Sequence, residues 1–175
     1  MSKSEKVFRF CQKVGVLFAF TAVLFGFILG AVFGIAEDSI KNHLLESSEK
    51  VLASVYKNNL EDREKILQKS WSYMKRAHLH AGAIGGTALG SIACMVLFTG
   101  ARVGALAGLS SLFLGVGGLL YGSFWLLAAL EAPILGSTTL AKESYSFIAI
   151  SGAGSVILGA LGGFFAVLVE LFNYK

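Results

Sequence analysis

Val14-Gly15-Val16-Leu17-Phe18-Ala19-Phe20-Thr21-Ala22-Val23-Leu24-Phe25-Gly26-Phe27-Ile28-Leu29-Gly30-Ala31-Val32-Phe33-Gly34-Ile35-Ala36 contains no charged side chain, and this stretch decides the fold class. The hydrocarbon core of a bilayer is about 30 Å thick and takes about 20 apolar residues of helix, at about 1.5 Å per residue. Three further blocks, Leu79 to Gly100, Val103 to Leu130 and Phe147 to Val169, meet the same length with as little charge. In lipid a helix satisfies its own backbone polar groups. The chain therefore reads as all-α, a four-transmembrane-helix bundle forming a single integral membrane domain over residues 1–175.

Composition agrees. Of 175 residues 55% are hydrophobic and 15% charged, with a mean hydropathy of +0.69, whereas soluble domains are about 25% charged. Lys3, Lys6 and Arg9 look like the basic start of a secretory signal, and Gly34-Ile35-Ala36 like a cleavage site. A signal's apolar region is about 7 to 15 residues long, shorter than Val14 to Ala36, so this block is expected to stay as a transmembrane helix. The net charge of +4 is spread over the termini and one long loop, without the basic and aromatic interleaving of a nucleic-acid groove. No nucleic-acid partner is expected; the lipid bilayer and its anionic headgroups are. Cys11 and Cys94 have no CxxC neighbour and are expected at different membrane depths, so neither a disulfide nor sulfur-bound zinc is expected.

Residues 37–78, between the first two blocks, contain neither Gly nor Pro. Ile40, Leu44, Val51 and Val55 form an apolar stripe at helical spacing, as do Leu60, Leu67, Trp71, Met74 and His78. The stripe breaks at Asn58-Asn59, where Asn58 suits a left-handed helix end and Asn59 a cap, with Glu61 and Asp62 in the first turn. The spacing predicts that the first span runs straight on into a helix ending near Lys57. The chain then turns and returns from Leu60 into the second span. The result is an extramembrane antiparallel helical hairpin standing off the membrane, its stripe buried against its twin arm and against another copy or a partner. Further on, a tight turn at 101–103 carries Arg102. A loop from Glu131 to Ser146 follows the third span, which Pro133 and Gly136 are expected to stop.

An even number of spans places both termini on one side. The density of Lys3, Lys6, Arg9, Lys13, Arg102 and Lys175 predicts cytoplasmic termini, in a multi-pass protein of bacterial inner-membrane type. Small residues recur every four positions: Gly26, Gly30 and Gly34; Gly82, Gly86 and Gly90; Ser151, Ser155, Gly159 and Gly163. Each set lies on one helical face and permits close backbone approach. Packing within the bundle is the expected use, with an excess face left for a homo-oligomer or for membership of a membrane complex.

The local cluster with chemistry is Arg76-Ala77-His78-Leu79-His80. Two residues apart on a helix, His78 and His80 point about 200° apart, so one helix cannot offer both to a single metal ion. Interfacial histidines bridging water and apolar phase are one reading; axial haem or transition-metal ligands are the other. His43, with Glu37, Asp38 or Glu46, is a further candidate metal ligand. Glu131 and Glu170 are candidates for proton or ion transfer, or solvated helix ends. Tyr121, Trp125, Tyr145 and Tyr174 read as membrane-interface or packing aromatics. Gly136-Ser137-Thr138-Thr139 lacks the lysine of a phosphate loop, and no Ser/His/Asp set or nucleotide fingerprint occurs in a convincing spacing, so a non-enzymatic subunit is expected.

The run Arg76-Ala77-His78-Leu79-His80-Ala81-Gly82-Ala83-Ile84-Gly85-Gly86 resembles the start of the second helix of haem-copper oxidase and nitric oxide reductase catalytic subunits. There an Arg followed closely by His opens a Gly-containing helix, and that His ligates a low-spin haem. The resemblance implies His78 or His80 as an axial ligand of haem b. The family's other haem and copper histidines have no counterpart, because the third and fourth spans contain no His. An oxidase centre is thereby excluded. A single b-type haem would need His43, Met74, Met95 or a histidine of another subunit as its second ligand. Two functional expectations follow: a small subunit holding haem b, a metal or a quinone near His78 and His80, or a cofactor-free, Gly-striped oligomeric or transport unit with the hairpin as a docking arm.

Overall fold

The computed structural model describes residues 2–99 and 104–173, and every regular element among them is a helix: α1 (Lys3–Glu49), α2 (Leu60–Thr99), α3 (Ala105–Leu135), α4 (Thr138–Ser144) and α5 (Ser146–Asn173). The turn expected at 101–103 with Arg102, together with Tyr174 and Lys175, lies outside the described residues. Four of these helices, α1, α2, α3 and α5, are long and apolar enough to cross a membrane, as the block lengths require. The α1 N-terminus is closed by a capping box: the Glu5 N–H donates to Ser2 Oγ (3.2 Å) and the Ser2 N–H to the Glu5 carboxylate (2.7 Å).

Helix α3 is the centre, with α1, α2 and α5 packed around it. Backbone approach through glycines sets the directions. A Cβ on Gly15 would overlap the Ser111 carbonyl and one on Gly115 the Gly15 carbonyl, while Gly108 lies against Phe8, so α1 and α3 run parallel. Gly26 sits on the Gly82 backbone and Gly85 on Ala19 and Val23, which makes α2 antiparallel to α1. Gly152 meets Tyr121, and Gly159 meets Leu114 and Ser110, so α5 returns antiparallel to α3. Ala19, Ala88, Ile92, Met95, Ala107, Leu114 and Ala166 form the membrane-level core.

Several expectations for the polar segment are corrected. Helix α1 does not run straight: Ala36 leaves helical geometry (φ −128°, ψ 26°), close to Gly34, in keeping with the tendency of kinks to gather at small residues. It also ends at Glu49 rather than near Lys57. The reason is tertiary: the kink lays the arm across α3, where Leu44 and Ser48 are buried, and the turn after Glu49 places Tyr56 so that its hydroxyl donates to the Pro133 carbonyl (2.7 Å). The hairpin therefore does not stand off the bundle. It closes a second core of Leu44, Tyr73, Met74, Phe124, Ala128 and Ala129, with Phe33, Trp71 and Trp125 packed on it. Part of its stripe, Leu44 and Met74 included, is covered by α3 of the same chain, while Val55 and Leu60 stay exposed.

The Asn58-Asn59 reading matches the structure. Asn58 is left-handed (φ 63°), joined by Lys57 (φ 52°), and Asn59 Oδ1 accepts from the N–H groups of Glu61 and Asp62 (both 3.1 Å). An ion pair of Arg63 with Glu49 (3.7 Å) ties the arms together. The third helix is not stopped by Pro133. It continues to Leu135 and ends at Gly136 (φ +61°), while α4 occupies part of the expected loop. A proline one turn from the end removes only one helical donor, and Gly136 supplies the left-handed cap. A side chain at Gly136 would also strike Val55 of the hairpin turn.

Candidate functional site

Where α2 meets the membrane boundary, its side chains alternate between two neighbours. His78 faces α1. Its Nδ1–H donates to the Gly26 carbonyl (2.7 Å), its ring lies edge-on to Phe33 (6.3 Å between centroids), and it fills the space where a Cβ on Gly30 would fall, 2.6 Å from the ring. His80 faces α3. Its Nδ1–H donates to the Arg76 carbonyl (2.9 Å), with the rings of Tyr121 and Trp125 at 5.4 and 6.0 Å. The divergence expected from helical geometry is thus realised, and the two imidazoles do not converge on one ligand. A carbonyl only accepts, so both rings carry a proton on Nδ1, and Nε2 is the nitrogen left outside that bond.

Arg76, expected as part of a haem-type motif, is an exposed cation over aromatic faces, 4.9 Å from the Trp125 centroid and 5.4 Å from that of Tyr73. Tyr73 and Trp125 are edge-to-face at 5.0 Å. Trp125 and Tyr121, read from sequence as interface aromatics, are therefore the floor of the Arg76 and His80 cluster. Only the antiparallel register of α2 and α3 brings them there. The Trp125 indole N–H is buried with no acceptor among the described residues. Glu131 lies apart from the histidines and pairs with Tyr145, whose phenol is pushed above its ordinary value chiefly by that hydrogen bond.

His43 is exposed, and its carbonyl accepts from Ser47 (2.8 Å). With the buried Met74 it lines a cavity of about 360 Å³ beneath the α1 kink, walled by Leu29, Phe33 and Leu126. Among the described residues no group of three His, Cys, Asp or Glu side chains is placed to hold a metal ion. A larger groove of about 480 Å³ runs between the hairpin arms, floored by Leu45, Leu67 and Trp71 and rimmed by Lys41, Lys75 and Glu64. Lys41 stands over the Trp71 ring at 5.3 Å and pairs with Glu37 at 2.5 Å.

The small-residue stripes divide. Gly26, Gly30, Ser155, Gly159 and Gly163 make helix contacts: Ser155 meets Gly117, and Gly163 meets the Met95 sulfur at 3.2 Å from its would-be Cβ. Gly34, Gly86 and Gly90 do not pack within the bundle, since a Cβ there meets nothing within 4 Å. Gly82 offers its backbone to Gly26 while its own Cβ direction is open. Sequence spacing pairs Gly118 with Gly122 on the third span, and Gly122 does meet Ala81 of α2, but it missed Gly15, Gly85, Gly115, Gly117 and Gly152, each of which meets a neighbouring helix. Several of these occur in adjacent or closely spaced pairs, which spacing by four overlooks. Compared with known proteins, the chain matches no family model, no curated protein and no solved structure.

Proposed function

We propose that this chain is a non-enzymatic multi-pass subunit of a bacterial-type inner membrane, with cytoplasmic termini, whose hairpin is a docking arm within a membrane complex. The observation that carries the reading is the open groove between arms that are otherwise fastened: Tyr56 ties the tip to Pro133, Leu44 seats one arm on α3, and half-buried, apolar Leu45, Leu67 and Trp71 line the groove between charged rims. A rigid groove with an apolar floor and a polar rim suits a partner's helix or loop. A photo-activated cross-linker at Gln68, in the groove, is expected to give a discrete protein adduct in cells that a Leu67→Asp change abolishes. Gln68 adducts no different from those of a linker at Lys142, on α4, overturn the reading. The outward Gly86 and Gly90 face supports self-association as well, because bare small residues in lipid permit close helix approach. Gly86→Leu is then expected to lower the oligomer mass in nanodiscs while leaving the monomer fold intact.

A redox reading rests on a separate observation. Both His78 and His80 spend Nδ1 on a backbone carbonyl, a bond that orients the ring and leaves Nε2 as the nitrogen for an axial bond. The histidines fit no shared site within one chain, so b-type haem or a transition metal would be held by one of them with a ligand from another subunit. His80, the one facing the aromatic cluster, is the better placed. A Soret band in freshly purified protein, lost in His80→Ala, is the expected sign; a colourless and metal-free preparation removes this reading.

A further inference from the structure

We propose that Arg76, stacked on Trp125 and Tyr73 beside His80, binds the phosphodiester headgroup of an anionic phospholipid in the leaflet facing the hairpin. This site is separate from the groove between the arms. Three observations meet in it. First, Arg76 is exposed and makes no ion pair among the described residues, although guanidinium charge at a membrane boundary attracts an anion strongly. Glu131, on the same helix as Trp125, gives its carboxylate to Tyr145. Second, the guanidinium carbon is held 4.9 Å from the indole centroid, and the planar N–H fork of an arginine matches two phosphate oxygens. Third, the buried Trp125 N–H has no acceptor among the described residues, and the His80 Nε2 is not used by the bond to the Arg76 carbonyl. A headgroup here offers acceptors to the guanidinium and, where the loaded site opens to the buried ring nitrogen, to the indole.

The level in the membrane fits the same ligand. Arg76 lies just before the uncharged run that starts at Leu79 on α2. One turn further along α2 Leu79 is exposed, as are Phe147 and Ile150 in the first turns of α5, Phe147 at 80%. Acyl chains would lie against these while the phosphate sits at Arg76. Cation, indole and phenol gathered at one depth form an interfacial anchor. Here they are preassembled by the packing of α2 on α3, whereas Lys75, next in sequence, stands over no aromatic ring among the described residues.

Native mass spectrometry of protein released from nanodiscs of equimolar phosphatidylglycerol and phosphatidylcholine tests this. The wild-type chain is expected to retain phosphatidylglycerol about tenfold over phosphatidylcholine, the scale of one charge-assisted forked contact. Arg76→Gln should bring the ratio close to parity. Arg76→Lys should fall between, since charge remains but the fork is lost. Trp125→Phe keeps the ring but removes the N–H, and should lower the ratio about threefold with unchanged helicity. It therefore tests the site even if Arg76→Gln fails to fold. No preference in the wild type, an unchanged ratio in Arg76→Gln and Trp125→Phe, or an equal loss in Lys75→Gln would each overturn the site, the last by showing diffuse attraction. Displacement of bound phosphatidylglycerol by millimolar inorganic phosphate would show a free-anion site instead and overturn the lipid assignment.

Discussion

The membrane-level core and the core under the hairpin are built from opposite materials within one chain. Between α1, α3 and α5 the closest backbone approaches are made by glycine and serine, at Gly15 and Ser111, Gly15 and Gly115, and Gly117 and Gly152, with larger Leu114 filling beside them. Under the hairpin, Leu44, Tyr73, Met74 and Phe124 interlock with Trp71 and Trp125. Lipid tails are as apolar as leucine, so a large side chain gains little by leaving lipid for protein, and close approach is what remains to hold helices together. Next to water, each large apolar side chain buried contributes about 1.5 to 3 kcal/mol, and size becomes an advantage. The two halves should consequently fail in opposite ways.

The strongest break is an enlargement in the membrane core. Gly115→Leu would push α3 away from the Gly15 backbone, which cannot yield as a side chain could, and is expected to cost about 3 kcal/mol or more. Gly86→Leu, on the bare face of α2, should leave thermal unfolding of the monomer nearly unchanged. Equal destabilisation by both would contradict the asymmetry of these glycines. Truncation should wound the other core instead. Leu44→Ala removes a side chain only 2% exposed and is expected to cost about 2 to 4 kcal/mol. Hydrogen exchange should then rise over 37–58 while the membrane-level amides of α3 and α5 stay protected.

Smaller effects sharpen the comparison at the hairpin tip. Tyr56→Phe removes the donor to Pro133 and leaves that carbonyl buried without it, a loss of about 1 to 2 kcal/mol visible as faster exchange at residues 50–58. Burial, the larger influence, pushes the Tyr56 phenol above its ordinary value, while the Arg63 cation pulls it back in part. A folded value above the unfolded one means that this contribution is fully present below about pH 10, the ordinary tyrosine value, and is lost as pH rises through the folded value. Alkaline loosening of the tip should accordingly vanish in Tyr56→Phe; its persistence there would assign it to another group. Smallest, Asn59→Ala removes the cap of α2 and should cost about 1 kcal/mol, read as a modest fall in melting temperature.

Much of the candidate site was half legible. Opposite headings for His78 and His80 follow from helical geometry alone, and the structure realises them against Gly26 and Trp125. The glycine at position 30 was identifiable as a packing residue, but not that its neighbour would be an imidazole. Gly34, Gly86 and Gly90 fit the same pattern as Gly26 and point away from the bundle, because a period of four identifies a face without saying what lies opposite it. The aromatic floor of Arg76 comes from α3, far away in sequence, so no local pattern announces it.

By itself the amino-acid sequence determined the four spans, the turn at Asn58-Asn59 and the helical nature of the segment between them. These depend on length, hydrophobicity and local backbone preference, which act within a few residues. The kink at Ala36, the early end of α1, the continuation of α3 through Pro133 and the folding of the hairpin onto α3 were decided only in three dimensions. Each depends on a contact between distant residues, Tyr56 with Pro133 and Leu44 with Ala128 and Ala129 among them. The free energy of burying those groups outweighs the local preference for one straight helix.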